Sequence, residues 1–418
     1  MGKQNRRRRT GRKAVPGPAL DADAIAGDPA AIAESLTTAA LATARGDKAS
    51  VRRFVQHLGG PGSLTTDVAE GTARASRRLI AHAFETGWLP MDVHQAARRR
   101  VDEFATGYLT DLMAEHRAPF DPATVDETWQ SQLDAVNATV WWTTDRPHPV
   151  QWADRAMLSG EEALSAILDA LALLLQLPRL EPIRPLPGTA LPAARHEHVD
   201  EKTLGRVRGL LAKAESTSFP EEAEALSAKA QELMTKYAID RAVLAHHTRD
   251  TTLPGARRLW LDTPYTDAKA LLVDQVTRAN RARAVFAADW GFVTLIGDDP
   301  DLDAVELLAT SLLVQATRTM IDTAPDTEES RTRAYRKAFL TAYATRIGDR
   351  LSTATESTIA HSPDPTTLLP LLAAHDTRIT QALTTYFPTT HTRGITIRST
   401  DGWDAGTRAA DRAHLDNR

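Results

Sequence analysis

Residues 201–240 read EKTLGRVRGLLAKAESTSFPEEAEALSAKAQELMTKYAID, and no other stretch restricts the fold as much. Its first half places Leu204, Val207, Leu210, Leu211 and Ala214 at the spacing of one apolar helical stripe. Its second half repeats the period with Ala223, Leu226, Ala230, Leu233, Met234 and Tyr237. Between them, Ser216-Thr217-Ser218-Phe219-Pro220 supplies a break. Proline disfavours helix in the residue before it and is accepted in a first helical turn. Ser218 and Glu221 have the spacing of a capping box, and Glu221, Glu222 and Glu224 lie where a helix dipole favours negative charge. The expectation is a helix hairpin, with Leu211 and Leu233 facing one another or facing whatever follows in the chain.

Three blocks in this stretch, LLAKAEST, FPEEAEAL and KAQELMTKYAID, occur in order at fixed spacing. With them the segment resembles the family catalogued as domain of unknown function 2786. The region from Trp260 onward resembles the domain that commonly follows this hairpin, through RKAFLTAYATRIGDRL and DGWDAGTRAADRAHL. The resemblance implies an architecture and brings no activity with it.

A chain of 418 residues exceeds one ordinary domain, so two or three units are expected. Its 42% hydrophobic and 25% charged content argues against wholesale disorder. Charge is unevenly spread. Residues 1–13 hold seven basic and no acidic side chains, which leaves −11 of the −4 total on the rest of the chain. Without cysteine there are no disulfides, thiolate zinc sites or cysteine nucleophiles. The start of the sequence lacks the apolar core of a signal peptide, and no apolar run approaches the ~18 residues of a spanning helix. A cytoplasmic protein without a membrane partner is the expectation.

Residues 1–25 read as a disordered basic arm, arginine-rich and then broken by Pro16-Gly17-Pro18. Residues 26–177 read as a helical domain, with helices at 29–44, 47–58, 63–86, 91–116, 123–142 and 150–176. Residues 178–198 contain five prolines by Pro192 and read as a spacer of extended character. The hairpin unit spans 199–245, and 246–258 reads as a polar loop. Residues 258–418 read as an α+β domain. It opens with a helix over 262–280, followed by a β-hairpin of 283–287 and 292–296 around Asp289-Trp290-Gly291. Helices at 302–322, 331–357 and 366–386, a strand at 394–398 and a helix from Asp404 complete it. The fold class is mainly α, with a small sheet near the C-terminus.

Motifs that would declare an activity are missing. There is no phosphate-binding glycine loop and no G-x-S-x-G elbow. His196-Glu197-His198 lacks the spacing that puts two imidazoles on one helical face, and His246-His247 and His375-Asp376 name no partners. The sequence therefore nominates neither a metal nor a cofactor. Trp141, Trp142 and Trp152 flank His148 and read either as a ligand-stacking group or, more simply, as an aromatic core.

Basic residues carry the remaining signal. Arg6, Arg7, Arg8, Arg9 and Arg12 in the arm suit phosphate neutralisation. Arg333, Arg336, Lys337, Arg346 and Arg350 lie on one helix whose apolar stripe is Phe339, Leu340, Tyr343, Ile347 and Leu351. That helix reads either as a solvated face or as an anion surface, which Arg393, Arg398 and Arg408 would extend if the terminal strand folds alongside. The functional expectation is a non-enzymatic, nucleic-acid-associated or assembly factor. The alternatives are an enzyme, such as a hydrolase, with its site between the hairpin and the C-terminal unit, and a protein-binding helical adaptor.

Overall fold

The computed structural model describes residues 27–189, 201–217, 220–248, 254–322, 327–362, 365–391 and 394–412. Two compact units divide the chain between Leu191 and Pro192. The arm, with Arg6 to Arg9 and Arg12, lies outside the described residues, as do His196-Glu197-His198 and Arg393.

Among its described residues, unit 1 has helices and no strand: α1 (Pro29–Ala44), α2 (Lys48–Leu58), α3 (Thr66–Glu85), α4 (Pro90–Arg100), α5 (Glu103–Arg117), α6 (Glu127–Ala135), α7 (His148–Ala156) and α8 (Gly160–Gln176). Its centre is α8, where Leu164, Ile167, Leu168 and Leu171 are fully enclosed. Six other helices, α1, α2, α3, α4, α5 and α7, pack directly on it. A helix apolar around most of its circumference has nowhere else to go. Ser159 and Glu162 form a reciprocal capping box at its start. Gly160 is required there, because a Cβ would stand 2.0 Å from the Gly59 carbonyl oxygen.

Three expected helices are shorter than their apolar patterns. The 91–116 helix is two, α4 and α5: Val101 is extended and the Asp102 carboxylate accepts the Ala105 N–H at 2.8 Å, which starts α5 afresh. The 123–142 helix shrinks to α6, closed where Asn137 adopts φ +54° and the Ala138 N–H returns to Leu133 O. The 150–176 helix breaks at Met157, which takes φ +56° between α7 and α8.

The described part of the proline-rich segment is also more than a spacer. Residues 178–189 lie along unit 1. The Trp88 indole N–H donates to Pro178 O at 2.8 Å, the Leu180 N–H to Thr86 O at 2.8 Å and the Gly188 N–H to Thr124 O at 3.0 Å, while Ile183 is buried.

Unit 2 joins the hairpin to the C-terminal region in one core. It contains α9 (Glu201–Ser216), α10 (Pro220–Thr248), β1 (Gly255–Trp260), α11 (Thr266–Ala279), β2 (Arg283–Ala287), β3 (Phe292–Gly297), α12 (Asp299–Asp322), α13 (Arg333–Ala360), α14 (Pro365–Tyr386) and α15 (Thr400–Arg412). Val207, Leu211, Ala230 and Met234 of the hairpin share a cluster with Val273, Val276, Leu308, Phe339, Tyr343 and Ile347. The hairpin turn is clasped by charge: Lys213 Nζ lies 2.9 Å from Glu222, whose carboxylate also accepts the Thr217 hydroxyl at 2.7 Å. These two contacts, Lys213 first, hold Glu222 below the usual carboxylate range. The expected cap residue Ser218 lies outside the described residues.

The sheet is antiparallel in the order β1-β3-β2, with Trp260 opposite Phe292 and Arg283 opposite Ile296. The expected β2–β3 hairpin is present, and β3, buried along its whole length, is the central strand. Part of the expected 246–258 loop is the edge strand β1. Its Arg257 reaches Asp303 at 2.6 Å and Glu306 at 2.9 Å on α12, a use of arginine that a polar-loop pattern conceals. The expected strand at 394–398 is not one: residues 394–399 run without ladder bonds into α15, whose first turn is capped by Ser399. Helix α15 sits close on α13, where a Cβ at Gly402 or Gly406 would stand 2.5 or 2.2 Å from the Tyr335 or Phe339 carbonyl oxygen.

Candidate anion-binding groove

Helix α13 buries Phe339, Leu340, Tyr343, Ile347 and Leu351, as the stripe predicts, so its basic residues are distributed around the remaining surface. They do not act as one patch. Arg346 pairs with Asp411, and Arg350 donates to the Ala410 carbonyl near the C-terminus of α15. Both fasten α15 to α13, and a cation at a helix C-terminus is favoured by the dipole as well. Arg336 is exposed and lies outside the groove described next.

Arg333 and Lys337, one turn apart, line a groove of about 1050 Å³ together with Arg398. Residues 396–398 form one wall and Thr263 to Asp267 the other. The extended path of 394–399 thus brings Arg398 beside the basic helix, although no strand forms. Lys337 is paired with Asp267. Arg333 and Arg398 are exposed and have no ion-pair partner among the described residues. The groove also receives the first turns of two helices. Thr266 and Asp267 begin α11, whose N-cap Tyr265 offers no side-chain cap, and Arg333 and Ala334 begin α13. Thr332 accepts the Tyr335 N–H at 3.1 Å at the start of α13 and Asp267 accepts the Ala268 N–H at 3.0 Å at the start of α11, so the helix ends add their positive dipoles rather than free donors. The sequence offered Arg333 and Lys337 directly and Arg398 conditionally; the 263–267 wall had no signal in it.

Three other clusters bear on chemistry. Asp298, Asp301 and His375 place one donor atom each within 4.8 Å of one another, a group that would suit a metal ion. His375-Asp376 is thereby given the partners its sequence did not name. Yet Asp298 lies immediately before α12, its carboxylate already takes the Arg378 guanidinium at 2.6 and 2.7 Å, and the His375 Nε2 lies 3.2 Å away. Carboxylates at a helix start serve the helix, and a cation there opposes the dipole. With Asp376 held 3.0 Å from Arg281, the cluster is a latch binding α14 to its neighbours.

At the seam between hairpin and C-terminal region the polar groups satisfy each other. The fully buried Gln231 amide exchanges hydrogen bonds with Asn280, both at 3.1 Å, and also donates to Thr355 at 3.1 Å.

In unit 1, Asp111 gathers the aromatic group. Its carboxylate accepts the Trp141 indole N–H at 3.0 Å and lies 2.9 Å from His148 Nε2. His148 is enclosed by Tyr108 and Trp142, with ring centroids at 5.4 and 4.0 Å. Trp152 packs edge-on against Tyr108. Trp142 is therefore a packing residue, while Trp141 and the buried Trp152 both line a cavity.

Residues 202–241 match a family model described as a protein of unknown function, DUF2786. The α9–α10 hairpin is a DUF2786 segment. No curated protein and no solved structure matches the chain. The DUF2786 match falls on the helices whose apolar faces complete the unit 2 core, and the groove lies on α11, α13 and residues 396–398 of the same unit. Among the described residues no helix is long and apolar enough to cross a membrane.

Proposed function

We propose that the protein is a non-enzymatic, nucleic-acid-associated factor whose unit 2 holds the phosphate backbone in the groove of Arg333, Lys337 and Arg398. One observation carries this reading: cations from α13 and from residue 398 converge on a concave surface together with two helix N-termini. Guanidinium forks match phosphate oxygens, and helix N-termini favour anions. The sequence of the arm, with Arg6, Arg7, Arg8, Arg9 and Arg12, supplies further positive charge. The rest of the chain is acidic on average, so attraction for phosphate has to come from local charge.

Contacts of this kind neutralise phosphate and leave base edges unread, so affinity is insensitive to sequence and falls as salt rises. On duplex DNA the log–log slope is about −0.9 per neutralised phosphate. The double variant Arg333→Ala/Arg398→Ala, titrated by fluorescence anisotropy between low and moderate salt, should show a slope shallower by up to about 1.8. An unchanged slope removes the groove from the binding surface.

A further inference from the structure

The groove of Arg333, Lys337 and Arg398 holds more than phosphate needs. Tyr265 lines it, half-buried and packed against the unit 2 core. Pro264 and Ala334 are exposed on its walls, and Ile397, between Thr396 and Arg398, is left 39% exposed. A phosphate oxygen gains nothing from apolar surface, and apolar surface left in water is unfavourable. Scattered exposed apolar residues are ordinary, but here they share one concavity with three cations.

Tyr265 also sits where its backbone disfavours it. At φ +66° and ψ +36° it is left-handed, a region that bulky residues rarely adopt and that asparagine tolerates. It makes no side-chain cap to α11 either. Local backbone preference therefore does not account for an aromatic residue at this point of the groove wall. Cations that track a backbone, with an aromatic ring beside them, are the elements that hold single-stranded nucleic acid. The charges meet phosphate, and an unpaired base of any kind lays its face on the ring. In a duplex each base face is stacked on its neighbour, and freeing one costs unstacking energy.

We propose that the groove selects single-stranded nucleic acid, with one unpaired base between Tyr265 and Ile397 and the flanking phosphates at Arg333 and Arg398. This rests on the nucleic-acid reading above and adds the strand class to it. A duplex still binds through its phosphates, but more weakly, because its stacked bases leave Tyr265 and Ile397 unused.

Fluorescence anisotropy on the full-length chain tests it, with Arg6→Ala/Arg7→Ala/Arg8→Ala/Arg9→Ala in every protein compared so that the arm does not mask the groove. The probes are oligothymidylate, a mixed-sequence duplex of equal length, and inorganic polyphosphate as a competitor that carries charge and no base. Oligothymidylate should bind at least about tenfold tighter than the duplex, roughly 1.4 kcal/mol. Tyr265→Asn removes the ring and suits the left-handed backbone. It should weaken oligothymidylate by about tenfold while its salt slope, the duplex affinity and the polyphosphate affinity stay unchanged. Tyr265→Phe keeps the ring and should bind oligothymidylate as the parent does. Arg333→Ala/Arg398→Ala should instead weaken all three probes and flatten the salt slope. Three results overturn the strand preference and leave the nucleic-acid reading standing: equal affinity for oligothymidylate and duplex, unchanged oligothymidylate affinity in Tyr265→Asn, or a loss in that variant shared equally by duplex and polyphosphate. No binding of any probe at low salt overturns both.

Discussion

At the scale of single residues, the protein is most sensitive where polar groups are enclosed or backbones touch. Gln231 ties the hairpin to α11 and α13 from a position with no solvent exposure. Gln231→Leu would leave the Asn280 amide and the Thr355 hydroxyl short of partners. A buried group left unsatisfied costs about 1–3 kcal/mol, so chemical denaturation should show a loss of that size. An unchanged midpoint would mean that water reaches the seam. Gly406 makes a different demand, since a Cβ there collides with the Phe339 backbone. Gly406→Ala should destabilise by about 1–3 kcal/mol, against the gain that alanine gives an ordinary helix. Gln231 sits on the apolar arm of the hairpin, where its sequence neighbours give no hint of the partner 124 residues away. Gly402 and Gly406 were legible as part of a resembling motif, while the reason for their spacing needed the packed α13 beside them.

At the scale of elements, period was a good guide to where helices lie and a poor guide to where they stop. α1 and α2 match their expected limits closely because Asp28-Pro29 and Asp47 cap them and Gly59 follows α2. The α4–α5 break has neither glycine nor proline, and its one signal is the cap residue Asp102 after a basic last turn. The α7–α8 break could have been found in Ser159 and Glu162, a capping box inside an apolar run. β1 was invisible because its pairing with β3 is long-range, and residues 394–398 misled because β-branched residues favour strands only where a neighbour exists. The groove was legible in the same partial way: Arg333 and Lys337 follow from helical spacing, but the wall of 263–267 comes from tertiary contact. Two truncations test these elements. Leu211→Ala, in the hairpin seam, should cost about 2–5 kcal/mol. Ile183→Ala should also be costly, at about 2–4 kcal/mol, if residues 178–189 belong to the fold of unit 1. A silent Ile183→Ala would return that segment to the role of a spacer.

At the scale of the whole molecule, two units have separate cores, and the acidic average of the chain hides the basic groove of unit 2. Only local charge makes a phosphate site on a body with a net −11 outside residues 1–13. The most direct measurement of that claim uses a chain lacking residues 1–13, so that the arm contributes nothing. Its affinity for a DNA duplex of arbitrary sequence, followed by anisotropy as salt rises, isolates the folded body. The groove predicts residual binding that weakens with salt and is lost in Arg333→Ala/Arg398→Ala. Absence of residual binding at micromolar protein and low salt, or residual binding that the double variant leaves intact, would contradict it.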